Sequence, residues 1–308
     1  MSAFRPKPTY SRTALHMDTV VSLHVVSSRS EDDVQARIRR AFEAFLAVER
    51  VCSRFDAESE LRRLCTHVGE AVQVSPLLFE ATRIAWEMAE LTDGVFDPTV
   101  GHRMAAHGFN INYLTGEKAL PPAQATASAT VTYRDLILDE QHRTVTLQKP
   151  LQLDLGAVAK GMAVDLAARE LREFEGFLIN AGGDIYAGGL NDHDEPWVIG
   201  IQHPTQPDQT ITTLRISDAA VCTSGSYERV SPEQTGIHHL LDPRTGRSPS
   251  QLVSCTVVAP QAMLADAFST AAFLLGPEKG QELVAEAGLT GVYVTPDLKV
   301  YQGEEEPS

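Results

Sequence analysis

The sequence is short of positive charge and of cysteine. Among its 308 residues, 26 are Lys or Arg and 41 are Asp or Glu, which gives a formal net charge of -15 at pH 7. Non-specific nucleic-acid binding needs a basic surface, so this balance argues against a nucleic-acid partner. The four cysteines include no CxxC pair, which predicts buried thiols in place of a zinc site or a disulfide framework: Cys52, Cys65, Cys222 and Cys255.

Long apolar runs are missing as well. The first ten residues are polar and contain two prolines, so they lack the apolar core of a signal peptide, and no later run is long enough to span a membrane. The sequence therefore predicts a cytoplasmic protein without a membrane segment; the alternative is an exported form whose signal has been trimmed. Hydrophobic residues make up 43% of the chain, which is enough for a substantial core.

Hydrophobic periodicity predicts grouped strands and helices. Residues 15–26 form a predicted strand, residues 131–153 alternate like a β-meander, strands dominate residues 177–258, and a hairpin ends the chain. Predicted helices span residues 31–52, 75–91, 157–174, 261–275 and 277–287, with Ser30 and Ser75 as caps. Because strands are grouped and do not alternate with helices, the predicted fold class is α+β, with largely antiparallel sheets packed against helices.

The predicted organisation is one main domain over residues 15–303. An N-terminal extension (residues 1–14) precedes it and an acidic tail (residues 304–308) follows it. Residues 108–130 contain two adjacent prolines and a run of Ala, Thr and Ser, so a subdomain excursion is predicted at about residues 100–130. Nothing in the pattern specifies an oligomeric state.

Two glycine-containing junctions predict a site for a phosphorylated ligand. An apolar, strand-like run ends at Asp154, turns through Gly156 and opens into a helix that carries Lys160. A second predicted strand ends in the turn Asn180-Ala181-Gly182-Gly183-Asp184. Free backbone N–H groups at a helix start bind anions, and glycine lets a phosphate approach them closely. Since the chain is acidic, an anionic ligand needs such amides, a lysine or a divalent cation to compensate its charge.

Asp266 and Thr270 form a candidate metal site. They stand four residues apart in an otherwise apolar helix and therefore share one face. Carboxylate and hydroxyl oxygens suit Mg²⁺, which keeps few protein ligands and shares the rest with phosphates and water. The alternative is a capping aspartate beside a core threonine that bonds to its own helix.

Three further segments carry polar side chains in turns. Residues 93–101 are typical of a structural turn after a helix. Residues 223–229 follow a predicted strand and either hold a phosphate or nucleotide or form a hydroxyl-rich turn. In residues 238–246, His239 is a candidate base or a structural histidine, and His238 must face the other way because neighbours on a strand do.

Taken together, these segments resemble the FAD:protein FMN transferase (ApbE) family from Met17 to about Gly276. The resemblance rests on blocks that occur in a fixed order: Met17-Asp18-Thr19; Ser53-Arg54-Phe55 with Ser59-Glu60-Leu61; residues 94–101, 154–161 and 180–184; residues 223–229 and 239–246; and Asp266 with Thr270. Each block alone is weak, whereas eight in the right order are specific.

The resemblance implies an ApbE-like fold and a Mg²⁺-dependent transferase, and leaves open whether Mn²⁺ can replace Mg²⁺. Such an enzyme takes FAD as its substrate, transfers FMN to a threonine hydroxyl of an acceptor flavoprotein, and releases AMP. This is a flavinylation, a post-translational modification of the acceptor.

The resemblance also assigns roles to residues of this chain. It implies that the Ala157 carbonyl, Asp266 and Thr270 hold the metal, and that His239 activates the acceptor hydroxyl, with Asp242 or water on the metal as the alternative base. Lys160 joins the catalytic set, because it can neutralise the pyrophosphate. The positions implied to line the FAD site are Met17, Phe55, Val95, Phe96, Asp97, Asp154, Lys160 and Leu241.

Two other functions stay open at the level of sequence. One is an FAD pyrophosphatase that releases FMN and AMP with water as the acceptor. The other is a flavin-binding carrier without chemistry, which would have no use for Asp266, Thr270 and Lys160.

Overall fold

The computed structural model describes residues 6–111, 116 and 131–303. In chain order, the described residues form the strands β1 (Thr9–His16), β2 (Thr19–Val26), β3 (Ala71–Gln73), β4 (Leu136–Asp139), β5 (Thr144–Leu147), β6 (Gly176–Ala181), β7 (Asp184–Gly189), β8 (Trp197–His203), β9 (Gln206–Ile216), β10 (Ala219–Gly225), β11 (Ser254–Ala259), β12 (Thr290–Val294) and β13 (Val300–Gln302). Eight of them make one antiparallel sheet in the order β1-β2-β6-β7-β10-β11-β12-β13.

The same residues form α-helices at α1 (Glu31–Cys52), α2 (Glu60–Leu64), α3 (Pro76–Leu91), α4 (Gly101–Ala106), α5 (Gly156–Leu171), α6 (Ala262–Leu275) and α7 (Pro277–Glu286). The predicted caps are confirmed: Ser30 accepts a hydrogen bond from the Asp33 N–H, and Ser75 accepts one from the Leu78 N–H, with Pro76 in the first turn. Antiparallel sheets packed against helices confirm the predicted α+β class.

The helices cover one face of the large sheet. The main core joins apolar side chains of β2, β6 and β11 to those of α1, α3, α5 and α6. The other face is covered by the β8–β9 hairpin, whose Ile199 and Leu214 pack with Val221 of β10. Ala220 and Cys222, the neighbours of Val221, lie in the main core, as the alternation of side chains along a strand requires.

The start of the chain differs from the predicted single strand at residues 15–26. It is a hairpin, in which β1 pairs antiparallel with β2 and Met17 and Asp18 turn at φ 50° and 59°. Residues 9–14, assigned above to the extension, thus belong to the sheet. The prediction missed β1 because this edge strand is mostly exposed and because no glycine marks its left-handed turn.

The predicted β-meander at residues 131–153 is wrong in its last part. Only β4 and β5 come from this stretch, and β3 completes their small antiparallel sheet. The apolar run before Asp154 is buried but is not a strand. Of the predicted excursion, residues 100–111 include α4, and the remainder apart from Gly116 lies outside the described residues, as do residues 1–5 and the acidic tail.

All four cysteines are buried and none forms a disulfide, as predicted. Within the described ranges, no helix combines the length and the apolar character that crossing a bilayer requires.

Candidate active site

A cavity of about 390 Å³ lies where the β1–β2 turn, the start of α5, the end of β10 and the middle of α6 meet. It brings together every predicted site residue except Val95: Met17, Phe55, Phe96, Asp97, Asp154, Ala157, Lys160, His239, Leu241, Asp266 and Thr270. The side chain of Val95 is buried beside the cavity and does not line it.

Asp154 holds the first turn of α5 in place. Its Oδ1 accepts a hydrogen bond from the Gly156 N–H at 2.8 Å, and its Oδ2 pairs with Arg54 Nε at 2.7 Å. The Arg54 guanidinium also donates to the Phe109 carbonyl and stacks on the Phe55 ring at 4.3 Å. The ion pair of Arg54 with Asp154 is nearly buried, so it fixes the position of the part of the cavity wall that includes Phe55.

The Gly-Gly turn presents Asp184 to the cavity. Gly182 and Gly183 have φ of 62° and 97°, which glycine adopts readily, and they join β6 to β7 as a two-residue hairpin whose second strand begins at Asp184. The predicted end of a strand at this turn is confirmed, and the element that follows is another strand. The buried Asp184 carboxylate forms an ion pair with Nζ of Lys160.

Lys160 is a fixed positive charge. Burial lowers the pKa of its ammonium, but the carboxylates of Asp184 and Asp266 outweigh this and hold the pKa above its ordinary value. Its side chain keeps 28% exposure toward the cavity, so an anionic ligand can reach it.

Helices α5 and α6 pack so closely that a backbone N–H of α5 donates to the side chain of Asp266 in α6. Asp165 of α5 accepts hydrogen bonds from the first two N–H groups of α6, those of Ala262 and Met263, at 2.8 and 2.9 Å. The Gly161 N–H donates to Oδ2 of Asp266 at 3.1 Å. Burial, together with the charge of Asp184, raises the pKa of the Asp266 carboxyl well above its ordinary value.

These residues fit a divalent cation. In an α-helix the Ala157 carbonyl accepts a hydrogen bond from the N–H of Gly161. Because that N–H also donates to Asp266, it is shared between two acceptors, and the Ala157 carbonyl oxygen can also bind a cation. Thr270 adds a hydroxyl on the same face of α6. These oxygen donors suit Mg²⁺, which takes its other ligands from water and phosphate. No group of three or more His, Cys, Asp or Glu that could hold a metal occurs in the described ranges.

The charge of the cavity leads to the same conclusion. Among the described residues, seven with a carboxyl side chain line it against three Lys or Arg: Asp18, Glu49, Asp97, Asp154, Asp184, Glu228 and Asp266, against Arg54, Lys160 and Arg229. A ligand that carries a pyrophosphate would be repelled by this excess. A bound cation at Asp266 would offset it.

Asp97 is engaged in structure although it lines the cavity. Its Oδ1 accepts hydrogen bonds from the N–H and the hydroxyl of Thr99, both at 2.8 Å, and its Oδ2 accepts one from the Tyr133 N–H at 2.9 Å. Burial raises the pKa of this carboxyl. Asp97 therefore shapes the loop of residues 93–101 and has little capacity left for a ligand.

The two histidines have different environments, as predicted. His238 is T-shaped against Phe273, and its Nε2 lies 3.1 Å from the Pro249 carbonyl. His239 lines the cavity, and its Nδ1 is buried without a hydrogen-bond partner. Burial, with the charge of Arg229, lowers the pKa of His239 to about 3, so the ring is neutral at physiological pH.

The alternative base, Asp242, is not part of the cavity wall. Its carboxylate pairs with Arg244 at 3.0 Å and accepts the Arg244 N–H at 2.9 Å. This geometry favours His239 over Asp242.

The sequence assigns no individual role to several polar residues that line the cavity, among them Arg54, Asp184, Ser224 and Arg229. All four fall inside the ordered blocks, so their position in those blocks was a usable signal. What the sequence does not supply is the pairing of Arg54 with Asp154 and of Lys160 with Asp184, since each joins distant segments.

The chain is similar to known proteins over most of its length. The chain is 31% identical to the FAD:protein FMN transferase of Treponema pallidum, over 94% of this chain and 86% of that protein, and 32% identical to that of Klebsiella pneumoniae, over 92% and 84%. The solved structure of the ApbE protein of Thermotoga maritima superposes with a TM-score of 0.82 at 28% identity, covering 96% of this chain and 97% of that one. The ApbE family model matches residues 17–293, so the chain belongs to the ApbE family.

Proposed function

We propose that this protein is an FAD:protein FMN transferase, which moves FMN from FAD to a threonine hydroxyl of an acceptor flavoprotein and releases AMP in a Mg²⁺-dependent reaction. Family membership supports the transferase class. The observation that carries the chemistry is the convergence on one cavity of Lys160, the oxygen donors Asp266 and Thr270, and a neutral His239 with an unpartnered Nδ1.

The transfer replaces the phosphoanhydride bond of FAD with a phosphoester bond to the acceptor. The acceptor oxygen bonds to the phosphorus of the FMN half, the bond from that phosphorus to the bridging oxygen breaks, and AMP leaves with the electron pair. The attacking hydroxyl must lose its proton, and a neutral imidazole at the wall of the cavity can take it. As the negative pyrophosphate approaches His239, it favours the imidazolium form, so the ring becomes a stronger base when FAD is bound.

The chain's own residues also balance the charge of the reaction. Lys160 lies where its ammonium can meet the pyrophosphate, and Asp184 keeps it protonated and in position. Asp266, Thr270 and the Ala157 carbonyl would hold Mg²⁺, which supplies the further positive charge that phosphoryl transfer requires.

The test is to incubate the purified protein with FAD and Mg²⁺, with and without an acceptor domain that carries an exposed threonine. AMP is quantified and the acceptor is weighed by mass spectrometry. We expect AMP to form together with a mass gain of one FMN on the threonine, and Asp266→Ala to abolish both.

AMP without a mass gain, across several acceptor domains, would instead favour a pyrophosphatase. FAD binding without any AMP would favour a carrier.

A further inference from the structure

The hydroxyl-rich segment at residues 223–229 places one serine against the proposed metal ligand. Ser224, near the end of β10, lies with its Oγ 2.9 Å from Oγ1 of Thr270 and 3.0 Å from Oγ of Ser269. Ser269 in turn lies 3.0 Å from the carbonyl oxygen of Asp266. Thr270, Ser224, Ser269 and Asp266 thus form one continuous chain of hydrogen bonds, which we name the hydroxyl relay.

The end of the relay determines its direction. A carbonyl oxygen only accepts, so Ser269 must donate its single proton to Asp266. Ser269 then has only lone pairs for Ser224, which must donate to it. Because Ser224 donates its only hydroxyl proton to Ser269, it can only accept a hydrogen bond from Thr270. The proton of the Thr270 hydroxyl therefore points into the protein.

This direction is the one that a hydroxyl metal ligand needs. A hydroxyl has one donor proton and two lone pairs, and a cation is attracted to the lone pairs and repelled by the proton. With its proton committed to Ser224, Thr270 Oγ1 keeps its lone pairs for the cavity that it lines. If Ser224 were absent, the hydroxyl could rotate and turn its proton toward the cation.

We propose that Ser224 and Ser269 are positioning residues that orient the Thr270 hydroxyl as an acceptor toward a divalent cation, an inference that rests on the proposed function. The backbone of Ser224 is held by β11, where it lies opposite Cys255, and the start of β10 (Ala219 to Val221) is also paired with β7. The relay also ends on the backbone of Asp266, the other side-chain ligand, so both ligands are tied to the same strand.

The experiment measures metal binding without FAD and without turnover. Mn²⁺ is titrated into the purified full-length protein, and free Mn²⁺ is followed by electron paramagnetic resonance. The variants are Ser224→Ala and Ser269→Ala, with urea unfolding of each. The control is Thr256→Val, which removes a comparable buried hydroxyl contact, that of Thr256 with Thr223 at 2.8 Å, but lies outside the cavity wall.

We expect Ser224→Ala to weaken Mn²⁺ binding by roughly 10-fold, as loss of a residue that orients a metal ligand does. Ser269→Ala should weaken binding less, because Ser224 stays in contact with Thr270, and Thr256→Val should leave it unchanged. Rescue by Ser224→Thr, which restores a hydroxyl, would strengthen the assignment.

A folded Ser224→Ala protein with wild-type Mn²⁺ affinity would overturn the relay while leaving the proposed function intact, provided that Asp266→Ala still abolishes binding. If Thr256→Val weakened Mn²⁺ binding equally, the effect would be a general loss of packing, and this result would also overturn the relay. A wild-type protein that takes up no Mn²⁺ would overturn the relay and the metal site together.

Discussion

The backbone N–H of Gly161 in α5 donates to Oδ2 of Asp266 in α6 across 3.1 Å. Only a residue without a side chain permits this approach. A Cβ added at position 161 would lie 2.4 Å from the carbonyl oxygen of Ala262 and 2.6 Å from the Cα of Met263. Both are backbone atoms, so a substitution would have to move one helix away from the other.

We therefore expect Gly161→Ala to lower the free energy of unfolding by about 1–3 kcal/mol through overpacking and to weaken Mn²⁺ binding at Asp266. Urea unfolding and Mn²⁺ titration measure the two effects. Gly280→Ala is the matched control, since its Cβ would lie 2.4 Å from the Ala272 carbonyl oxygen, between α6 and α7. That variant should lose stability and keep its metal affinity, and wild-type affinity in Gly161→Ala would contradict the argument.

Arg54 should not tolerate replacement by lysine. Its guanidinium pairs with Asp154, donates to the Phe109 carbonyl and stacks on Phe55, and one ammonium cannot make all three contacts. We expect Arg54→Lys to weaken FAD binding, measured by flavin fluorescence, and to lower the free energy of unfolding by about 1–3 kcal/mol, because the lysine keeps the charge but leaves a buried acceptor without its hydrogen bond.

The matched control for Arg54 is Arg37→Lys. Arg37 pairs with Glu170 and Glu173 on the surface, where such pairs contribute about 0–1 kcal/mol. Equal stability losses in the two variants would argue against a special role for the Arg54 contacts.

The depressed pKa of His239 predicts a pH-dependent stability. In the folded protein burial lowers this pKa to about 3, whereas in the unfolded chain a histidine titrates at about 6.5. Below that pH the unfolded state binds a proton that the folded state refuses, so the contribution of His239 to stability is present above about pH 6.5 and is lost as the pH falls toward 3.

Urea unfolding between pH 7 and pH 5 measures this effect. The contribution of His239 is at most about 1.4 kcal/mol per pH unit, and water in the cavity reduces it. His239→Gln should make the decline shallower without removing it, because burial also lowers the pKa of His238. A decline of the same slope in His239→Gln would show that its ring is protonated as readily in the fold as outside it.

The local signals of the sequence predict the helices of this fold better than its first strand. Ser30 and Ser75 mark helix starts because a side-chain cap and an apolar stripe are both properties of adjacent residues. β1 has neither a buried alternating face nor a glycine turn, and its conformation is fixed by pairing with β2. The turn at Met17 and Asp18 adopts left-handed φ without a glycine, and the pairing of β1 with β2 on either side holds it there.

The features of the site also divide into those that the sequence predicts and those that it does not. Motif resemblance places Lys160, Asp266, Thr270 and His239 in one cavity, where the structure brings them together. It does not predict that the carboxylate oxygens of Asp97 accept hydrogen bonds from Thr99 and Tyr133. Contacts of this kind depend on how α5, α6 and the loops pack in three dimensions. Local sequence patterns do not specify that packing.

The ion pair of Lys160 with Asp184 should be the most strongly coupled contact of the cavity. Asp184 is 2% exposed and Lys160 is 28% exposed. Asp184→Asn keeps the size of the side chain and leaves the ammonium without its partner, so we expect unfolding free energy to fall, by less than the roughly 3–5 kcal/mol typical of a fully buried pair. Lys160→Met should be worse, because Asp184 and Asp266 would then face each other uncompensated.

A double-mutant cycle isolates this coupling. Urea unfolding of the wild type, both single variants and Asp184→Asn/Lys160→Met gives the interaction energy. We expect the double variant to be more stable than the sum of the single losses predicts, because removing both charges leaves neither one buried alone. Additive losses would mean that the two side chains are solvated independently, and Asp184 would then have no part in holding the charge that Lys160 presents to the pyrophosphate.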